Sequence, residues 1–268
     1  MFKILRVVLT VGWSILYNYL FYIWRWARHP EKVPLEVRYA RLRRLIIKTL
    51  KAFHVDYEVK GLEILRKMEE EGRSCLFVPN HLSFMDPLVL IAYSEKPISF
   101  IAKTEVQKFP FINPAMKIID GEFLDRDDLR QSVKVIKSVS DKISSGRCSF
   151  VIFAEGTRNR NPEGDLPAFH SGSFKVATRS KCPIIPISLY GTQRLLDTKL
   201  HYKRYPIALT YLNAVEPEQY LNDPTTNDIS VKIHDLVANE MYFVRSGSDK
   251  EFLEKGYEKI PLRKGSVR

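Results

Sequence analysis

Cysteine is scarce in this sequence and metal-ligand spacing is missing. Cys75, Cys148 and Cys182 stand singly in apolar runs of a 268-residue chain, without the paired spacing of a zinc site or of a secreted disulfide framework. They read as buried thiols of a reducing compartment. The six histidines, at 29, 54, 81, 170, 201 and 234, form no HExxH or HxH pair, which argues against a metal site. No GxSxG elbow offers a serine nucleophile, and no internal repeat or low-complexity tract suggests an array. Acidic residues are outnumbered, with 42 Lys and Arg against 31 Asp and Glu and a formal charge of +11. A positive surface favours nucleic acid, anionic lipid headgroups or phosphorylated substrates. No nucleic-acid reading motif accompanies the charge, and the cations are mixed with membrane-seeking aromatics, so nucleic acid is not an expected partner.

Long uncharged runs are confined to the amino-terminal region. Val7 to Trp24 reads VVLTVGWSILYNYLFYIW, flanked by Lys3 and Arg6 before it and Arg25 and Arg28 after it. Its length is at the short end of the roughly 17 to 25 residues that span a bilayer, and no small-residue cleavage pattern follows it. Trp13, Tyr17, Tyr19, Phe21, Tyr22 and Trp24 are types that favour the headgroup level, while Thr10, Ser14 and Asn18 recur every four residues as one polar stripe. After Pro34, Tyr39, Leu42, Ile46, Leu50 and Phe53 share one helical face, and Arg41, Arg44, Lys48 and Lys51 share the opposite one. Such a basic amphipathic helix either packs on a protein core or lies on an anionic bilayer surface. Beside the aromatic segment it completes an expected two-helix membrane module over residues 1–55, one that dips into one leaflet rather than crossing as a single pass.

Beyond residue 55, short apolar runs alternate with helical stretches. CLFVP (75–79), ISFIA (98–102), SFVIF (149–153), IIPISLY (184–190) and IALTYL (207–212) predict buried strands. Helices are predicted from Asp86, from Asp127 with Asp127 or Asp128 as cap and Gly146 as stop, and from Ser173. This alternation indicates an α/β domain over 56–245 with a largely parallel, mixed sheet flanked by helices, followed by a polar basic tail at 246–268. Ligands of such sheets gather beyond the carboxyl ends of strands, and two polar motifs fall there.

The first, NHLSFMDP (80–87), follows CLFVP. Residues five apart on a continuous helix lie about 140° apart, so His81 and Asp86 meet only across a turn. Asp86-Pro87 suits an N-cap followed by the first helical position, and two uses of Asp86 stay open: a helix cap, or a carboxylate that fixes one imidazole nitrogen and leaves the other as a base. Without a protein nucleophile, such a base implies direct attack by a substrate hydroxyl. The second motif, AEGTR (154–158), turns at Gly156 and presents Thr157 and Arg158 beyond a strand end, where a guanidinium suits bidentate phosphate recognition. A local Glu155–Arg158 ion pair is the plainer use. GEFLDRDD (121–128) adds Arg126, and FIAKTE adds Lys103, as candidates for holding a phosphate or a developing oxyanion.

Taken in order, NHLSFMDP, GEFLDR, EGTR and IIPI resemble the sequence blocks of the glycerolipid acyltransferase family over roughly residues 75–190, the first and third residue for residue. The resemblance implies His81 as general base and Asp86 as its orienting partner. It implies Phe123 and Arg126 in an acceptor-binding block, Glu155, Gly156, Thr157 and Arg158 along a glycerol phosphate site, and Pro186 in a wall formed by the fourth block. It further implies an acyl-CoA or acyl carrier protein thioester as donor, with no metal and no cofactor. The pattern is nearest to acylation of lysophosphatidate at its sn-2 hydroxyl by a membrane-associated, cytoplasm-facing domain, giving phosphatidate. Another lysolipid acceptor, and a non-catalytic membrane adaptor, are the alternatives. Leu124 stands where isoleucine is frequent, and His170 where a cation such as lysine is expected.

Overall fold

The computed structural model describes residues 2–197, 204–222 and 225–246. Beyond Ser246 the expected tail lies outside the described residues. One long helical segment opens the chain: α1 (Phe2–Asn18), a π-helical turn (Tyr19–Ile23) and α2 (Trp24–Arg28). Val7 and Val11 face inward and are buried, whereas Leu9 and Trp13 on the outer side are 77% and 80% exposed. Among the described residues, Leu5–Arg28 is the one helix long and apolar enough to cross a membrane. Part of the polar stripe faces α3 (Leu35–Ala52) instead of water, since Arg41 Nε donates to Asn18 Oδ1 at 3.0 Å. Arg6 Nε likewise donates to Ala52 O at 3.2 Å.

The amphipathic pattern of α3 resolves toward the protein. Tyr39, Leu42, Ile46, Leu50 and Phe53 are all buried in the larger core, and Arg44, Lys48 and Lys51 are exposed. The apolar stripe packs against the strand Val55–Lys60 and the helix Asp86–Tyr93, so its cations line the outside of a helix that belongs to the core.

The remaining elements follow as β1 (Val55–Lys60), α4 (Leu62–Glu70), β2 (Leu76–Pro79), α5 (Asp86–Tyr93), β3 (Ile98–Lys103), α6 (Ile112–Ile118), β4 (Glu122–Leu124), α7 (Leu129–Ser144), β5 (Ser149–Ile152), α8 (Lys175–Ser180), β6 (Ile184–Tyr190), β7 (Tyr205–Tyr211), α9 (Pro217–Tyr220) and α10 (Thr226–Ser246). The sheet runs β1-β7-β6-β2-β5-β3-β4. Every pairing is parallel except β6 with β7, which makes the sheet mixed and largely parallel with helices on both faces. Alternate residues divide the core: Phe77, Val151 and Ile185 face α3 to α6, while Leu76, Val78, Phe150 and Ile184 face α7, α8 and α10. Covered on both faces, the central strands are mostly apolar, which is why their runs stand out in the sequence. Asp128 is the cap of α7, its Oδ1 accepting from Gln131 N at 3.0 Å, and Gly146 at φ +70° follows the helix end. The helix expected from Ser173 begins as a 3-10 turn, with α8 proper starting at Lys175.

Candidate active site at the carboxyl edge of the sheet

β2 ends at the centre of the sheet, and Asn80 prolongs its pairing with a side chain. Asn80 Nδ2 donates to Leu189 O at 2.9 Å, and its Oδ1 accepts from Leu189 N at 2.7 Å. The amide imitates a peptide, so the main chain leaves the strand while staying in register with β6. His81 follows immediately above the strand ends.

Asp86 closes the loop that His81 opens, and it does not cap the helix. Met85 occupies the N-cap, Asp86 is the first helical residue and Pro87 the second, one step from the expected arrangement. The reason is that the carboxylate turns back into the loop. Asp86 Oδ2 accepts from His81 Nδ1 at 2.8 Å, from Leu82 N at 2.7 Å and from Ser83 N at 2.8 Å. Three donors, two of them buried amides that would otherwise go unpaired, outweigh a capping bond. Asp86 is fully buried, whereas the His81 ring keeps 17% of its surface exposed. Ser83 is occupied in the turn, its Oγ accepting from Met85 N at 3.1 Å.

The loop after β5 secures the same histidine. Phe153 stacks on the His81 ring, with centroids 4.0 Å apart. Glu155 Oε1 accepts from His81 N at 2.6 Å, and Asn159 N donates to His81 O at 2.7 Å. Both main-chain groups of His81 are thus held by one segment. Glu155 Oε2 is buried without a partner among the described residues. Burial pushes the Glu155 carboxyl up to about 8, with the Asp86 charge acting in the same direction and the His81 amide against it. The Glu155–Arg158 ion pair does not form; the Arg158 guanidinium lies 3.7 Å over the Phe84 ring, joining the two motifs face to face.

Gly156 has φ +73°, and a Cβ there would fall 2.2 Å from both terminal nitrogens of Arg126. The Arg126 guanidinium therefore rests on the bare backbone of the turn, a close approach that glycine permits. His81, Lys103, Arg126, Gly156, Thr157 and Arg158 line one cavity of about 1550 Å³. That volume exceeds the roughly 300 to 1,000 Å³ of most single-ligand sites. It straddles the sheet edge, with Ile15, Leu42 and Ile91 on one side and Leu129, Val133 and Val176 on the other. His170 shares the lining, and its pKa is lowered by burial first and then by the charges of Arg126 and Lys103. A third group with a fixed positive charge would meet the same repulsion.

Not every candidate reaches the cavity. Asp86 and Glu155 lie behind His81 as its supports. Phe123 sits half-buried in β4 and packs on the larger core, and Pro186 is buried in β6 opposite Val78. Asn80 lies in the first motif, but its role as a register pin is not legible there; three further contributors carry no motif that reveals them: Phe153, Asn159, and Thr192, whose Oγ1 donates to Asp86 Oδ1 at 2.5 Å. For Thr192 the available signal is a glycine and a hydroxyl directly after an apolar strand.

A family model described as Acyltransferase matches residues 56–190, half of the chain. The chain belongs to this acyltransferase family. The match begins within β1, ends with β6 and includes Lys103, Arg126 and Arg158. Among curated relatives, a probable 1-acyl-sn-glycerol-3-phosphate acyltransferase of Mycoplasma genitalium is 27% identical over 225 residues, covering 78% of this chain and 80% of that protein. A protein of the same name from Mycoplasma pneumoniae is 32% identical over 177 residues, covering 63% of this chain and 62% of that protein. The crystal structure of the 1-acyl-sn-glycerophosphate acyltransferase of Thermotoga maritima superposes with a TM-score of 0.67 at 23% identity, over 92% of this chain and 98% of that one. The acyltransferase fold is therefore shared along nearly the whole chain.

Proposed function

We propose that the protein transfers an acyl chain from a thioester donor, acyl-CoA or acyl carrier protein, to the sn-2 hydroxyl of lysophosphatidate, giving phosphatidate. The observation that carries this reading is the buried Asp86 carboxylate on His81 Nδ1 at 2.8 Å, in a large cavity that is apolar on its walls and cationic at Lys103, Arg126 and Arg158. Relatives named for this acceptor support the choice of substrate.

With Nδ1–H donated to Asp86, His81 Nε2 is the free base of the pair. It takes the proton of the sn-2 hydroxyl as that oxygen attacks the thioester carbonyl. A backbone amide or Lys103 holds the tetrahedral oxyanion. Collapse breaks the C–S bond, and the departing thiolate takes the proton back from the His81 imidazolium. No acyl-enzyme forms, because Ser83 is committed to its turn and the three cysteines are buried. Burial raises all three thiols, Cys182 to about 11 and Cys148 to about 12, which keeps them from acting as thiolates. Arg126 and Arg158 receive the phosphate. The exposed apolar side of α1 seats the enzyme in one leaflet, with the domain facing the cytoplasm.

Turnover with lysophosphatidate in mixed micelles, followed by thiol release, tests the reading with each donor in turn. His81→Ala is expected to lose about 10² to 10⁴ of the rate, and Asp86→Asn to fall with it at a near-normal melting temperature. Activity confined to lysolipids without a phosphate monoester would overturn the acceptor, and full activity in His81→Ala would overturn the base.

A further inference from the structure

We propose that Thr192 is a positioning residue for the His81–Asp86 pair, locking the rotation of the Asp86 carboxylate so that one defined oxygen faces the imidazole. The proposal deepens the base-catalysis reading above and rests on it for its kinetic consequence. Its geometric content stands apart from that reading.

The two oxygens of Asp86 are used unequally. Oδ2 collects His81 Nδ1, Leu82 N and Ser83 N. Oδ1 has a single partner among the described residues, the Thr192 hydroxyl at 2.5 Å. The terminal torsion of an aspartate is broad and roughly two-fold, so bonds to Oδ2 alone leave the plane of the carboxylate loosely set. A donor on Oδ1 from the opposite side defines that plane. Because a carboxylate only accepts, the hydroxyl must donate, and the charge-assisted bond is of the stronger kind.

Thr192 arrives from 106 residues further along the chain, and three features bring it there. β6 lies beside β2 in parallel, so both strands end on the same edge. Asn80 pins Leu189 through two hydrogen bonds, fixing the height at which β6 ends. Gly191, at φ +96°, turns the chain where a Cβ would fall 2.3 Å from Pro206 O. Thr192 then opens a 3-10 turn and is completely buried, while Leu195 anchors that turn in the core. A threonine serving packing alone has no need to point its hydroxyl at a buried carboxylate on another element. Thr192 does not line the cavity and touches no reacting atom, so it acts through Asp86.

The test compares Thr192→Val, nearly the same in shape but without the donor, with Thr192→Ser, which keeps it. Expected for Thr192→Val is a fall in kcat of about 10 to 100-fold, as when an outer partner orienting a metal-bound histidine is lost, with KM for both substrates unchanged. Thr192→Ser is expected to restore most of the rate. In an Asp86→Asn background, Thr192→Val should add less than about twofold, because residues acting as a unit are not additive. A spectroscopic arm is independent of turnover: the Nδ1–H proton signal of His81, assigned by its loss in His81→Gln, is expected in wild type and Thr192→Ser and broadened or shifted in Thr192→Val. An unchanged signal and unchanged kcat in Thr192→Val would overturn the proposal, as would a full, additive loss on top of Asp86→Asn. If wild type acylates no lysolipid, the proposed function fails while the His81 signal still decides the role of Thr192.

Discussion

Glu155 shows how one residue can serve a site and burden the fold. Its carboxyl accepts the His81 amide with one oxygen and buries the other without a partner among the described residues, and burial raises it to about 8. An unfolded glutamate titrates near 4.3, so between about 4.5 and 8 the folded chain binds more protons than the unfolded one. Stability then falls as pH rises through that window. Glu155→Gln keeps an acceptor for the amide and cannot ionise. It is expected to melt alongside wild type at pH 5 and a few degrees above it at pH 8.5, since ~1 kcal/mol moves a domain of this size by about 2 to 4 °C. Thermal melts of both proteins at the two pH values check this, and equal midpoints at pH 8.5 would mean that Glu155 ionises freely. His81, Asp86, Arg126 and the EGTR stretch are legible in the sequence because each motif is contiguous and chemically unusual. Thr192 and Asn159 are not, because each takes its meaning from a partner far away in sequence, the Asp86 carboxylate for Thr192 and the His81 carbonyl for Asn159.

At the level of elements, the strands most visible in the sequence are those covered on both faces. β1 escapes that signal because VDYEVK alternates apolar with charged residues and lies at the sheet edge, with buried Asp56 paired to Arg204 at 2.9 Å. β4 has three half-buried residues, too few for any periodicity. α10 was within reach: Ile229, Ile233, Val237, Met241 and Val244 recur at helical spacing and are all buried. The π turn between α1 and α2 has no sequence signature, yet it directs both Tyr19 and Ile23 toward the cavity, where Tyr19 OH donates to Pro110 O at 2.9 Å. Across from them, α6 contributes the small side chain of Ala115 to the wall. Ala115→Phe is expected to shift donor preference toward shorter acyl chains, measured by competition between long and medium donors. An unchanged preference would place the acyl chain on the other side of the sheet edge.

On the scale of the whole molecule, charge and apolar surface act together. The chain carries a formal +11, Leu9, Trp13 and Phe21 are exposed on the amino-terminal helical segment, and Phe109 and Phe111 are exposed among the residues that line the cavity. Binding to vesicles is expected to be stronger with about 30% anionic lipid than with neutral lipid alone. Raising salt from about 0.05 to 0.5 M should weaken it, since the screening length shortens well below 10 Å. Co-sedimentation across this series checks the expectation, and salt-independent binding would assign the attachment to apolar contact alone.

The sheet edge also imposes an order on synthesis. β1 joins the sheet through β7, with Val55 opposite Tyr205, a separation of 205 − 55 = 150 residues. At ~5 to 20 residues per second, the ribosome takes on the order of 10 to 30 s between completing β1 and completing its partner. The apolar outer side of α1 and the apolar stripe of α3 are both synthesised before that interval begins. For its duration those apolar faces lack an interior strand of the sheet they will pack beside, so the nascent chain carries its aggregation hazard at its amino-terminal helices until β7 is made.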